Sequence, residues 1–122
     1  MDVGQSTAIG LYQQAAAGTF KMEEGAARKC AEIFQRFADS ITTHIDEANA
    51  LQVLGGFGGF QSAIELQSGF ERKGSALIDA LTGLQEAALR MAAAYLRAGD
   101  LLEEAELMNS RAIAAANTGL DG

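Results

Sequence analysis

A chain of 122 residues with nine basic and sixteen acidic side chains carries a formal charge of −7, and acids exceed bases in both halves. That balance excludes a basic face able to follow a phosphate backbone, so no nucleic-acid partner is expected. Proline is absent, aromatic content is only 7%, and an alanine-rich hydrophobic content of 48% suits thin helical seams better than a thick core, so one all-α domain over 1–122 is expected.

Residues 5–17 read as a short helix, opened by Ser6 or Thr7 and broken by Gly18 and Thr19. A long helix follows over 22–54. Its apolar positions are Ala27, Cys30, Phe34, Phe37, Ile41, His44, Ala48 and Leu51, alternately three and four residues apart, which is a heptad seam. At about 1.5 Å per residue this arm would span on the order of 50 Å. The densest break in the chain comes next, over 55–61. Gly55, Gly56, Phe57, Gly58, Gly59 and Phe60 end any helix, because each interior glycine costs about 1 kcal/mol relative to alanine. The two phenylalanines suit a turn pinned by aromatic rings better than a flexible linker.

Ser62 with Glu65 forms a capping box and starts a second long helix over 62–116. Its seam runs Phe70, Leu77, Leu81, Leu84, Ala88, Met91, Tyr95, Ala98, Leu102 and Ala105. Gly99, followed by the capping signature Asp100-Leu101-Leu102-Glu103, predicts a kink or restart at 99–100. Folding the chain at Gly59 sets Ile41 against Leu77, Phe37 against Leu81, Phe34 against Leu84, and His44 opposite Gly74. It also lays residues 5–17 beside 101–113. The expected fold is therefore an elongated antiparallel helical hairpin with a short N-terminal helix. Ile33, Ile45, Val53, Leu66, Ile78, Leu96, Leu101 and Leu107 sit off the seam, and covering them calls for a partner hairpin that completes a four-helix bundle by dimerisation.

No constellation in the chain points to catalysis, so a non-enzymatic protein is expected, with no catalytic residues, cofactor or metal. His44 is the only histidine and lacks the Glu-x-x-His pairing of a di-iron bundle; a seam imidazole accommodated by a glycine is the simpler reading. Asp100, Glu103, Glu104 and Glu106 lie at the spacing of a solvated helix face and follow no calcium-loop pattern. The glycine run lacks a Gly-Lys-Ser/Thr ending and a preceding strand, so it is no phosphate loop. Cys30 alone excludes an internal disulfide framework and reads as a small core residue. The uncharged runs 3–20 and 48–64 are interrupted by Gln, Asn and Gly, so membrane insertion is not expected, and Met1-Asp2 opens no classical signal peptide.

The order helix, glycine-aromatic turn, helix resembles the WXG-type secreted proteins of type VII (ESX) systems. Phe57-Gly58-Gly59 stands where that family has Trp-x-Gly. The run LGGFGGFQSAIELQSGFERKG, residues 54–74, is still more similar to a group of small actinobacterial ESX-associated helical proteins, and the resemblance covers roughly residues 19–105. The family also carries a Tyr-x-x-x-Asp/Glu export signal. Here Tyr95 stands in the expected region, Gly99 occupies the acidic position, and Asp100 arrives one residue later. The resemblance implies a type VII secretion substrate, or a co-secreted chaperone-like targeting partner, made in the cytoplasm and exported without a cleaved signal peptide. It implies pairing, as homodimer or heterodimer, with a related hairpin or a larger effector, and recognition by a secretion ATPase. The pairing seam would comprise Phe34, Phe37, Ile41, Leu77, Leu81, Leu84 and Met91, with Tyr95 and Asp100 as the export signal. The alternative is a cytoplasmic homodimeric four-helix-bundle adaptor without an export role.

Overall fold

The computed structural model describes residues 2–52 and 61–121, which form four helices: α1 (Gln5–Ala17), α2 (Glu24–Gln52), α3 (Gln61–Ala98) and α4 (Leu102–Asp121). The protein is all-α over these residues. The glycine-aromatic turn motif, Gly55, Gly56, Phe57, Gly58, Gly59 and Phe60, lies outside them, as do Val53 and Leu54.

The start of α1 differs from the sequence expectation, because the carboxylate of Asp2 and not the hydroxyl of Ser6 or Thr7 takes up its first donors, and Glu23 does the same ahead of α2. The Asp2 carboxylate accepts from the Gly4 amide at 2.9 Å and from the amide and hydroxyl of Ser6, ahead of α1. Glu23 accepts from the amides of Gly25 and Ala26, each at 3.0 Å, and so satisfies the orphan donors that open α2. α3 begins at Gln61, whose side-chain amide donates to Glu65.

The first and third helices end in the same motif. At the end of α1 the Thr19 amide donates to the Gln14 carbonyl and the Gly18 amide to the Ala15 carbonyl, with Gly18 at φ 82°. At the end of α3 the Leu101 amide donates to the Leu96 carbonyl at 2.9 Å and the Asp100 amide to the Arg97 carbonyl at 3.1 Å. Both are Schellman closures, which need a left-handed residue just past the helix. At the second site that residue is Asp100, at φ 62°. The expected kink at 99–100 within one helix over 62–116 is therefore a complete reversal. α4 starts after Leu101, whose carbonyl accepts from Ala105, one residue later than the Asp100 capping signature suggested.

This reversal decides the architecture. α4 returns antiparallel along α3, where its Ala105, Met108 and Ala112 pack with Leu89, Ala92, Ala93 and Leu96. α2 also runs antiparallel to α3: the Met22 amide donates to the Ala98 carbonyl at 2.9 Å, and the Gln85 side-chain amide reaches the Ala38 carbonyl and the Thr42 hydroxyl. α1 runs parallel to α3, with Gly4 beside Ala87 and Ala15 at the level of Arg97 and Ala98. α3 approaches each of the other three closely, and no other pair of helices comes within that range among the described residues. The molecule is three helices around a fourth.

The central stretch of α3 is accordingly buried all round, at Ala87, Ala88, Leu89, Ala92, Ala93, Ala94, Leu96 and Ala98. Alanine dominates because three neighbours must approach one axis, and small side chains permit short interhelical distances. The larger residues Leu89, Leu96, Ile41 and Met108 fill what space remains; truncating such a side chain to alanine costs about 2–5 kcal/mol.

The α2 seam is rotated relative to expectation. Ala27, Ala31, Ala38, Ile41 and Ala48 are buried, with Phe34 and Ile45 half-buried. The spacing still alternates between three and four, but Ala31, Ala38 and Ile45 replace Cys30, Phe37 and His44. α2 turns this way because it leans on α4 as well as α3. Gln35 donates to the Met108 sulfur, Arg28 bonds Glu104 at 2.9 Å, and Arg111 bonds Asp39 at 2.8 Å.

The register also moves by one heptad. Phe34 and Phe37 share a groove with Leu84, Ala88 and Met91, and His44 and Ala48 share one with Leu77 and Leu81. Phe34 is thus level with Met91 and not Leu84, and His44 is level with Leu81 and not Gly74. A shift of seven residues keeps every seam position on its face, so the heptad pattern alone could not distinguish the two alignments.

Candidate functional site

Three features of the surface could meet another molecule. The first is the projecting end of the α2–α3 pair. Beyond about residue 82, toward its N-terminus, α3 leaves the shelter of α1 and α4, and among the described residues it has only α2 beside it. In the observed register Gln52 stands level with residue 73, so the first three turns of α3 have no counterpart among the described residues of α2. Leu66, Phe70 and Leu77 fall on the α2-facing stripe of α3 by their helical spacing, and all three are exposed, Leu66 by 61% and Leu77 by 49%. The stripe that packs on α2 lower down therefore continues as exposed apolar surface at Leu66.

The second feature is a groove of about 240 Å³ between α1 and α2. Val3, Gly4 and Thr7 form one wall, Phe34 and Phe37 the other, and Leu84, Ala87, Ala88 and Met91 the floor. It collects four of the expected seam residues. Phe37 is 44% exposed there, because α1 stands off from α2 at this level. The third is a groove of about 400 Å³ between α1 and α4, lined by Ala8, Ile9, Tyr12, Gln13, Arg90, Glu106, Asn109 and Ile113. Arg90 at its base is already paired with Glu86 at 2.7 Å, in the least exposed salt bridge of the described residues.

The expected seam thus divides. Ile41 is buried, Phe34, Leu81, Leu84 and Met91 are half-buried, and Phe37 and Leu77 are largely open. The two residues of the expected export signal differ in setting. Tyr95 is half-buried in the core, stacked on Phe34 with centroids 5.6 Å apart and edge-on to Phe20 at 5.9 Å. Asp100 sits exposed in the reversal. A tyrosine between two phenylalanines is held chiefly by burial and ring packing, worth about 0.5–1.5 kcal/mol beyond the area term.

Charged groups are arranged structurally. The Glu23 carboxyl is held below its ordinary range by the Gly25 and Ala26 amides. The Ser6 hydroxyl, then the Gly4 and Ser6 amides, do the same for Asp2. Glu104 raises Arg28 further above its already high value. Of the acidic cluster, Glu104 is taken up by Arg28, Glu106 lines the α1/α4 groove, Asp100 sits in the reversal and Glu103 stands exposed on α4. Among the described residues no group of three or more His, Cys, Asp or Glu side chains could hold a metal ion. His44 lies exposed beside Glu47 at 3.6 Å, and Cys30 is a half-buried free thiol. No helix among the described residues is long and apolar enough to cross a membrane.

Comparison with protein-family models, with curated proteins and with solved structures finds no match to this chain.

The sequence register laid residues 5–17 beside 101–113, and the groove between α1 and α4 lies where those segments meet; what the register did not give is that α4 folds back along α3 to form it.

Proposed function

We propose that this chain is a non-enzymatic helical pairing protein of type VII secretion, acting as a substrate or as a co-secreted partner that targets a larger effector. What carries the reading is Leu66, 61% exposed on the α2-facing stripe of α3 beyond the last described residue of α2, with Leu77 49% open lower on the same stripe. An amphipathic helix from a related hairpin or an effector would lie on that stripe as α2 does lower down. The glycine-aromatic segment between the two long helices, with its similarity to the WXG-type pattern, supports assigning the partner to that system. Export machinery, including a secretion ATPase, would then act on the paired complex.

The second reading is a cytoplasmic adaptor that pairs in the same way and is not exported. It is favoured by Tyr95, whose ring is engaged by Phe20 and Phe34 and is thus poorly presented for recognition in the folded chain. Two experiments in the native organism test these readings. A pull-down with the wild type and with Leu66→Glu tests pairing: the wild type recovers a helical partner and the variant loses it. Mass spectrometry of the culture filtrate tests export. Wild-type protein in the filtrate supports the secretion reading, whereas a retained partner with no export supports the adaptor. Loss of neither partner nor export in Leu66→Glu would overturn the stripe as the pairing surface.

A further inference from the structure

We propose that α1 is a displaceable strap, which lifts off α3 as a unit while α2, α3 and α4 stay packed. It lies on a different part of α3 from the Leu66 stripe on which the proposed function rests. The three outer helices are held by different means. Polar bonds between elements tie α2 and α4 in: Gln85 reaches the Ala38 carbonyl and the Thr42 hydroxyl, Arg28 bonds Glu104, and Arg111 bonds Asp39. Among the described residues, the hydrogen bonds of 2–19 all stay within residues 2–20. α1 buries only Ala8 and Ala15, with Tyr12 half-buried against the core. Grooves of about 240 Å³ and about 400 Å³ part it from α2 and α4, so neither neighbour closes over it. Few buried apolar contacts and no cross-bond mark a segment that opens locally, ahead of the rest of the fold.

The segment is also weak as a helix. At 13 residues it is marginal in water once detached. Residues 3–20 carry no charge, so no ion pair along the helix supports it. Gly10, at its middle, lowers the helical equilibrium about fivefold relative to alanine. A β-carbon built there meets no atom within 4 Å, so this glycine weakens the strap without serving a contact. Just past α1 the joint is firm. Gly18 is left-handed at φ 82°, the Phe20 ring meets Tyr95 at 5.9 Å, and the Met22 amide donates to the Ala98 carbonyl at 2.9 Å. The pivot is therefore at 18–20. Gly4 lies beside Ala87 and Ala15 beside Ala98, and residues 87, 91, 94 and 98 share one face of α3 by helical spacing. Ala94, 0% exposed, lies midway along this covered face. Val3 and Thr7 wall the groove that holds Phe34, Phe37, Leu84 and Met91, so lifting α1 uncovers these four seam residues together with Ala94. Ala92, also 0% exposed, belongs instead to the cluster formed with Ala38 of α2 and Met108 of α4.

Thiol labelling of the full chain in native buffer tests this, with dithiobis(nitrobenzoate) as the probe and Cys30→Ser as the background. Ala94→Cys reports the face under α1, and Ala92→Cys the face toward α2 and α4. Ala94→Cys should react at least about tenfold faster than Ala92→Cys. Met108→Ala, which loosens the α4 side, should speed Ala92→Cys at least about tenfold and leave Ala94→Cys within about twofold. Gly10→Ala should slow Ala94→Cys about fivefold. Hydrogen exchange of the unaltered chain, read by mass spectrometry, makes the same comparison without a cysteine: amides of 9–17 should exchange at least about tenfold faster than those of 87–96. Equal labelling at the two faces, a Met108→Ala that speeds both alike, or a Gly10→Ala without effect on Ala94→Cys would each overturn the strap. So would exchange in α1 as slow as in the centre of α3. None of these measurements involves a partner or export, so this proposal and the proposed function fail separately.

Discussion

Gly99 offers the sharpest test of the packing at the reversal. A β-carbon built on it would lie 2.5 Å from the Ala27 β-carbon and 3.7 Å from the Glu24 α-carbon. Neither neighbour is the free end of a flexible side chain, so α2 would have to move. Ordinarily, replacing glycine by alanine where space allows stabilises by about 0.4–1 kcal/mol through the unfolded chain. Overpacking a closed contact costs about 1–3 kcal/mol, so the net for Gly99→Ala is a loss of about 1–2 kcal/mol. For a chain of this size that lowers Tm by roughly 4–8 °C. Ala27→Gly alone costs about 1 kcal/mol in helix propensity but removes the clashing methyl. In that background Gly99→Ala should become neutral or stabilising, a coupling of about 1–2 kcal/mol in a double-mutant cycle by urea denaturation. Additive single effects, or a Gly99→Ala protein more stable than the wild type, would refute the close approach of α2 to the reversal.

Other expectations follow from the same contacts. Asp100→Gly should raise stability by about 0.5–1 kcal/mol, because glycine adopts the left-handed conformation without steric cost, while Asp100→Ala should lower it; thermal unfolding reads both. Tyr95→Ala should cost about 2–4 kcal/mol through the lost packing with Phe20 and Phe34, and Tyr95→Phe under about 1 kcal/mol. Export that survives Tyr95→Phe but fails for Tyr95→Ala would then track folding. Leu96→Ala should destabilise by about 2–5 kcal/mol and Leu66→Ala by under about 0.5 kcal/mol, since one is enclosed and the other open. Glu23 and Asp2 have carboxyl pKa values lowered by their capping hydrogen bonds. Their contribution is therefore present above the ordinary carboxylate range and fades below about pH 5, as protons bind the unfolded chain more readily. Glu23→Gln should flatten the fall in stability between about pH 5 and pH 3; an unchanged slope would count against the cap.

Composition and heptad spacing were enough to read the helical class, the break at Gly18 and the discontinuity at Gly99. They misplaced the consequences. The reversal at 99–101 turns on Asp100 taking a left-handed conformation, which the glycine beside it made easy to assign to the wrong residue. Once α4 folds back, α3 needs apolar residues on every side. The run AALRMAAAYLRA over 87–98 carries that all-round pattern, though it was read as one stripe. Leu96 and Leu101, counted as surplus needing a partner, are absorbed by the same chain, whereas Ile33, Leu66 and Leu107 stay exposed. The one-heptad shift was not legible at all, because a seam with a strict repeat fits itself equally well when slid by seven.

The central claim is that α4 returns along α3 and stands beside α2. In a Cys30→Ser background, spin labels at Ser40 on α2 and Ser110 on α4, both exposed, measure this directly by pulsed electron resonance. Arg111 contacts Asp39 in the folded chain, so the labels should lie within about 20 Å of each other. Were α3 to continue straight through 99–101, Ser110 would lie some 25 residues beyond the level of Ser40, about 38 Å away along the helix. A distance near 20 Å or shorter is the predicted result, and one near 40 Å would contradict the fold.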